Sequence, residues 1–268
     1  MRDWERMGRA ALDDAYANGD HIPGADGFPP RWAAAARAFR DGTPGELGLP
    51  YGDRSEERFD LFRPPGRRAR GLMVFVHGGY WRRFGRSDWS HLAAGGLAAG
   101  LAVAVAGYPL APSVRIASIT RSIARAVDAA AARVEGPVRL TGHSAGGHLV
   151  ARLCMPDAAP SCSARIATCV PISPMADLRP LVPQSMNADL RLDPAEAAAE
   201  SPVLATPSAG IKTAVHVGGA ERPSFLWQAQ ALAAAWSVPL RVAPERHHFD
   251  VIDDLTDPQS ALMADILA

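Results

Sequence analysis

The chain has 268 residues, a formal net charge of zero at pH 7 and 48% hydrophobic residues, which suits one large domain with a sizeable core. With no basic block, nucleic acid and anionic membrane surfaces are not expected as partners. No apolar run reaches membrane-spanning length and Met1-Arg2-Asp3-Trp4-Glu5-Arg6 lacks the apolar core of a signal segment, so a cytoplasmic location is expected.

Residues 1–50 are rich in Pro, Gly and Asp and are expected to form an N-terminal arm over the main domain. Within them, 30–40 predicts a helix with Trp32, Ala35, Ala36 and Phe39 on one face. Strand and helix patterns alternate from Glu57. Phe59, Leu61 and Arg63 predict a strand stopped by Pro64-Pro65, and 71–76 is an apolar strand run that ends in His77-Gly78-Gly79-Tyr80-Trp81. Ser87 is placed to cap a helix through Ala99. A strand over 101–106 is broken by Gly107-Tyr108-Pro109, and 116–134 predicts an amphipathic helix with Ile119, Ile123 and Val127 inward. A strand from Val138 runs into Thr141-Gly142-His143-Ser144-Ala145-Gly146-Gly147-His148, and a helix follows. Further strands are expected at 166–172, 212–217 and 240–243, with helices at 223–236 and 258–267. The proline-rich stretch 173–210 interrupts the alternation and reads as a lid-like insertion in which selectivity would be set. Cys154, Cys162 and Cys169 are an odd, loosely spaced set that fits reduced thiols, with Cys154 and Cys169 in the core.

Alternation with continuous apolar strands implies an α/β fold, a single domain over 1–268 whose mostly parallel central sheet carries helices on both faces. Such sheets bind ligands at the carboxyl ends of their strands. Gly142-x-Ser144-x-Gly146 between a strand and a helix is the nucleophile elbow of the α/β-hydrolase fold. The turn is tight enough to need small neighbours. It presents the serine Oγ above the sheet and leaves the amide of Ala145 free to face an oxyanion. The glycines of His77-Gly78-Gly79 let backbone N–H groups approach the same oxygen, so Gly78, Gly79 and Ala145 are the candidate oxyanion hole.

A serine hydroxyl needs a histidine base held by a carboxylate, and in this fold the chain order is serine, acid, histidine. Glu221 is the only carboxylate in the loop Gly218-Gly219-Ala220-Glu221 after the 212–217 strand, and His248 follows the last strand. Alternatives stay open: Glu221 as a solvated charge paired with Arg222, His247 as the base, and Asp250, Asp253 or Asp254 as the orienting acid. His143 is expected to pack under the elbow, and His216 to sit in the core. Neither HExxH, nor a close Cys/His set, nor a phosphate-cradling loop is present, so no metal or cofactor is implied.

These residues resemble the kynurenine formamidases (arylformamidases). The resemblance is carried by His77-Gly78-Gly79-Tyr80-Trp81, by Gly142-His143-Ser144-Ala145-Gly146-Gly147-His148-Leu149, and by Phe59-Asp60-Leu61-Phe62-Arg63-Pro64 after Tyr51-Gly52. It extends through Ile172-Ser173-Pro174, Glu200-Ser201-Pro202, the 218–221 loop with Phe225 and Gln228, and His248-Phe249, which favours His248 over His247. The family's usual triad acid is Asp, and Glu stands here. The resemblance implies hydrolysis of N-formyl-L-kynurenine to L-kynurenine and formate by Ser144, Glu221 and His248, with Tyr80 and Trp81 as a substrate-binding wall for the aromatic leaving group. Trp81 as a core anchor is the alternative. Competing functions are a general carboxylesterase for small acyl esters and a non-catalytic hydrolase-fold binding protein. The expected partner is a small-molecule substrate, and a homodimer is left open.

Overall fold

The computed structural model describes residues 3–268, and Met1 and Arg2 of the arm lie outside the described residues. The described residues contain nine strands: β1 (Gly45–Pro50), β2 (Arg58–Phe62), β3 (Leu72–Val76), β4 (Ala102–Ala106), β5 (Val138–His143), β6 (Ile166–Ile172), β7 (Lys212–Thr213), β8 (Val215–Gly218) and β9 (Leu240–Ala243). They form one sheet in the order β1-β2-β4-β3-β5-β6-β8-β9, with β7 paired to β6. β1 and β2 pair antiparallel and β2 joins β4 antiparallel, while every pairing from β4 to β9 is parallel. The helices are α1 (Arg9–Ala15), α2 (Phe28–Gly42), α3 (Ala94–Ala98), α4 (Ile116–Ala131), α5 (Ala145–Arg152), α6 (Asn187–Leu190), α7 (Pro194–Ala199), α8 (Pro223–Trp236) and α9 (Ala261–Leu267). Among the described residues no helix is long and apolar enough to cross a membrane.

Strand alternation explains why β3 reads as an unbroken apolar run. Leu72, Val74 and Val76 join a core with Ile119, Ile123 and Val127 of α4, whereas Met73 and Phe75 point to the other face and pack with Leu92, Ile252, Leu262 and Ile266. Both faces are dry, so each residue of β3 is fully buried. Each large side chain of these layers contributes roughly 2 kcal/mol by leaving water. The three cysteines are free thiols, with Cys154 and Cys169 buried as expected.

Four local differences from the sequence expectation have physical causes. The arm holds α1 as well as α2, and Pro29 and Pro30 sit inside the first turn of α2, where a missing N–H costs no helical bond. Its last residues form β1, an edge strand. The helix expected from Ser87 is two 3₁₀ turns, Arg86–Asp88 and Ser90–Ala93, before the short α3. There a β-carbon on Gly95 would stand 2.3 Å from the Leu255 carbonyl oxygen, so the glycine permits a close crossing rather than a long helix. The terminal helix starts at Ala261, because the Ser260 side chain caps it by accepting from the Met263 amide.

Candidate active site

The carboxyl ends of β3, β5, β8 and β9 carry the candidate residues. Ser144 joins β5 to α5 at φ 56° and ψ −115°, a conformation that costs a non-glycine residue about 1–3 kcal/mol. Its amide donates to the Ile172 carbonyl at 2.8 Å, which ties the elbow to β6. A β-carbon on Gly146 would lie 2.0 Å from the Val76 oxygen, and one on Gly142 would lie 2.4 Å from the Gly146 oxygen. The first turn of α5 therefore presses directly on β3 and β5. Ala145 opens α5, where an amide has no partner within the helix and the helix dipole is positive.

The loop after β3 is held by its own histidine. His77 donates from Nδ1 to the Gly78 carbonyl at 2.8 Å, and its ring stacks on Tyr108 with centroids 4.3 Å apart. Tyr108 donates its hydroxyl to the His77 carbonyl at 2.9 Å. In a trans peptide C=O and N–H point opposite ways, so fixing the Gly78 carbonyl also fixes the Gly79 amide. Gly78 abuts the elbow: a β-carbon there would stand 3.1 Å from Ser144 Cβ and 2.9 Å from the His143 oxygen. Gly79 has φ 109°, and a β-carbon would meet the Arg83 oxygen at 2.5 Å.

Of the two neighbouring histidines, His248 is the one bonded to Glu221. Its Nδ1 donates to Glu221 Oε2 at 2.6 Å. The other carboxylate oxygen accepts from the Gly218 amide at 2.9 Å and from the Ser173 hydroxyl. The Glu221 side chain is fully buried. Arg222, the alternative partner, pairs with Asp14 at 2.7 Å instead. His247 instead faces Asp250 at 3.1 Å and packs edge-on to Phe28. Asp254 pairs with Arg246. The His248 ring lies between Phe225 and His143, at centroid distances of 4.3 and 4.5 Å. His143, expected under the elbow, instead lines the Ser144 cavity, and burial with His248 beside it holds its imidazole well below the usual histidine range.

A profile of the family described as alpha/beta hydrolase fold matches residues 73–215, more than half of the chain. The chain belongs to the α/β-hydrolase fold family. It is 26% identical to the kynurenine formamidase of Danio rerio, with 96% of this chain and 94% of that protein covered. Against the kynurenine formamidase of Salmo salar the identity is 27%, over 79% and 77% of the two chains. A crystal structure from Silicibacter sp. TM1040, provisionally assigned as a thioesterase, superposes with a TM-score of 0.94 at 53% identity, over 96% of this chain and 99% of that one.

In this hydrolase Ser144, His248, Gly78, Gly79 and Tyr80 line one cavity of about 620 Å³. Trp32, Phe84, Trp89 and Phe249 give it an aromatic wall, and Ser185 and Met186 of the 173–210 stretch also line it. Tyr80 donates its hydroxyl to the Tyr16 carbonyl at 2.6 Å, and burial raises that phenol far above its usual range. Trp81 is not part of the wall. It is fully buried in the core and meets His148 edge-on at 5.1 Å. Among the described residues no three His, Cys, Asp or Glu side chains cluster as a metal site would require.

Sequence reasoning missed two contributors. Ser173 was noted only within the Ile172-Ser173-Pro174 match, and it holds the second oxygen of Glu221. Asn18, in the arm, lines the cavity and is 5% exposed, yet neither carboxamide atom has a hydrogen-bond partner. A buried polar group left unpaired costs about 1–3 kcal/mol. The arm is fastened around it by Arg222–Asp14, by Ser224 donating to the Ala15 carbonyl, and by Gln228 donating to the Tyr16 hydroxyl at 3.0 Å.

Burial also gives the site an acid limit. His77 is held down to about 4 and His148 to about 3, each chiefly by desolvation of the charged form. Both therefore stay neutral in the fold while the unfolded chain takes up protons from about pH 6.5 downward. Stability is fully present above that value and is lost as pH falls, by about 1.4 kcal/mol per pH unit for each imidazole until its folded pKa is reached. Denaturant titrations at pH 7, 6, 5 and 4 should show this slope. His148→Gln, which can still donate to the Glu200 carbonyl, should remove about half of the loss these two cause; an unchanged slope would refute the assignment.

Proposed function

We propose that this hydrolase cleaves the formamide of N-formyl-L-kynurenine, giving L-kynurenine and formate, through a formyl-serine intermediate. The observation that carries the proposal is the similarity to kynurenine formamidase along almost the whole of both chains. The aromatic wall beside Ser144 supports it, since the leaving group is an aniline ring. Ser144 Oγ attacks the formyl carbon and passes its proton to His248, whose imidazolium is balanced by Glu221. Amides of Gly78, Gly79 and Ala145 hold the oxyanion, with each donor contributing about 3 kcal/mol. His248 then protonates the aniline nitrogen and the C–N bond breaks. Water gives its proton to His248 and attacks the formyl ester. His248 returns that proton to Ser144 as the C–O bond breaks, and the formic acid released ionises to formate.

Thioester hydrolysis is the second reading, supported by the 53% identical structure assigned that way. Steady-state kinetics on N-formyl-L-kynurenine, p-nitrophenyl acetate and phenyl thioacetate separate the readings. The expected kcat/KM for the formamide exceeds both others by about 100-fold or more once intrinsic reactivity is normalised. Equal values point to a general esterase, and a thioester preference overturns the formamidase proposal.

A further inference from the structure

Asn18 stands at a junction that the reaction can use. A second cavity of about 310 Å³ lies behind the acid–imidazole pair and is lined by Glu221, Arg222, His247 and His248. Asn18 and His248 are the two residues that this cavity shares with the larger one holding Ser144. Asn18 therefore lines the Ser144 cavity together with the imidazole that exchanges protons with substrate, and lines the second space with it as well. The backbone there is pinned: the Asn18 amide donates to the Tyr16 carbonyl and the Asn18 carbonyl accepts from the His21 amide, both at 3.1 Å. Yet Nδ2 and Oδ1 are buried and unpaired.

We propose that Asn18 Oδ1 accepts the N–H of the scissile amide, favouring amide over ester cleavage. This rests on the formamidase reading and deepens it. When Ser144 adds to an amide, the nitrogen lone pair forms anti to the new C–O bond and points away from the proton on His248. The nitrogen must invert before it can be protonated, and inversion swings its N–H toward a new direction. An acceptor waiting there stabilises the inverted form, in which the lone pair faces His248. Proton transfer follows, the C–N bond breaks and the amine leaves with both hydrogens. An ester oxygen carries no hydrogen and has a second lone pair for the proton, so the same acceptor does nothing for it. An interaction made only as the nitrogen inverts raises kcat and leaves ground-state binding alone.

The test uses formanilide and phenyl formate, which share acyl and aryl groups and differ in N–H against O, with N-formyl-L-kynurenine alongside. Asn18→Leu and Asn18→Ala should lower the amide-to-ester ratio of kcat by about 30-fold, with the KM of the amides within about threefold of wild type. Ester turnover in the same preparations reports that the variants are folded. Parallel losses on amide and ester would show a structural role and overturn the proposal, as would an unchanged ratio. Wild-type protein inactive on both formamides would overturn the formamidase reading and this role together. Wild-type amidase activity with an unchanged ratio in the variants would remove the role of Asn18 alone.

Discussion

Ser144→Ala is expected to lower kcat on any turned-over substrate by about 10⁵-fold or more while thermal stability stays close to wild type. The chemistry demands the loss, because among the described residues that line the cavity Ser144 is the one at the elbow, abutting Gly78 and sharing the cavity with His248. What remains should be the acceleration from oxyanion binding and orientation, roughly 10³-fold over water. Stability is the more revealing measurement. Ser144 holds φ 56° and ψ −115° because Gly142 and Gly146 let β5, β3 and α5 close around it. Alanine keeps the β-carbon and therefore the strain. Glycine removes it, so Ser144→Gly should be equally inactive yet more stable by about 1–3 kcal/mol, a rise in Tm of several degrees. Residual activity above about one per cent in Ser144→Ala would remove this serine from the chemistry. A glycine variant no more stable than the alanine variant would show that the elbow stores no strain.

What could be read from the chain beforehand, and what could not, follows from where the information resides. β3 and β4 are apolar throughout, and β6 is so apart from Thr168, because helices cover both faces, and that makes them plain in one dimension. The elbow is equally plain, since steric closure restricts Gly142 and Gly146 to glycine. β1 was missed because Gly-Glu-Leu-Gly-Leu-Pro has little strand propensity: it is made by pairing with β2, and the Gly48 amide donates to Asp60 Oδ1 at 2.7 Å. Tyr80 and Trp81 were grouped as one wall, but both have positive φ, 53° and 56°, so the chain turns sharply between cavity and core. Nothing in their spacing reveals that turn. Asn18 was invisible for a different reason. Its importance comes from the arm folding back onto the loops after β3, β8 and β9, a contact set by tertiary packing across some two hundred residues.

Gly146→Ala should be the most damaging single methyl addition at the site, costing about 5 kcal/mol or more and leaving little soluble protein. The added carbon would stand 2.0 Å from the Val76 oxygen, 2.5 Å from the Val76 carbonyl carbon and 2.6 Å from the His77 oxygen. All three are backbone atoms of β3 and the residue after it, so no rotamer change relieves the clash. Relief requires α5 to move away from β3. Such a shift would pull the Ala145 amide away from the Gly78–Gly79 loop and loosen the pairing of β3 with β5, which runs from Leu72–Val138 to Val76–Gly142. Gly147→Ala is the control. Its β-carbon would meet the Ile172 oxygen at 3.0 Å, the Gly142 oxygen at 3.1 Å and the Pro174 α-carbon at 3.2 Å, contacts that shifts of a few tenths of an ångström can ease, and it should lose far less. Soluble yield and denaturant midpoints for the two variants decide the matter. A well-folded, active Gly146→Ala would mean that α5 does not press on β3 as closely as the elbow requires.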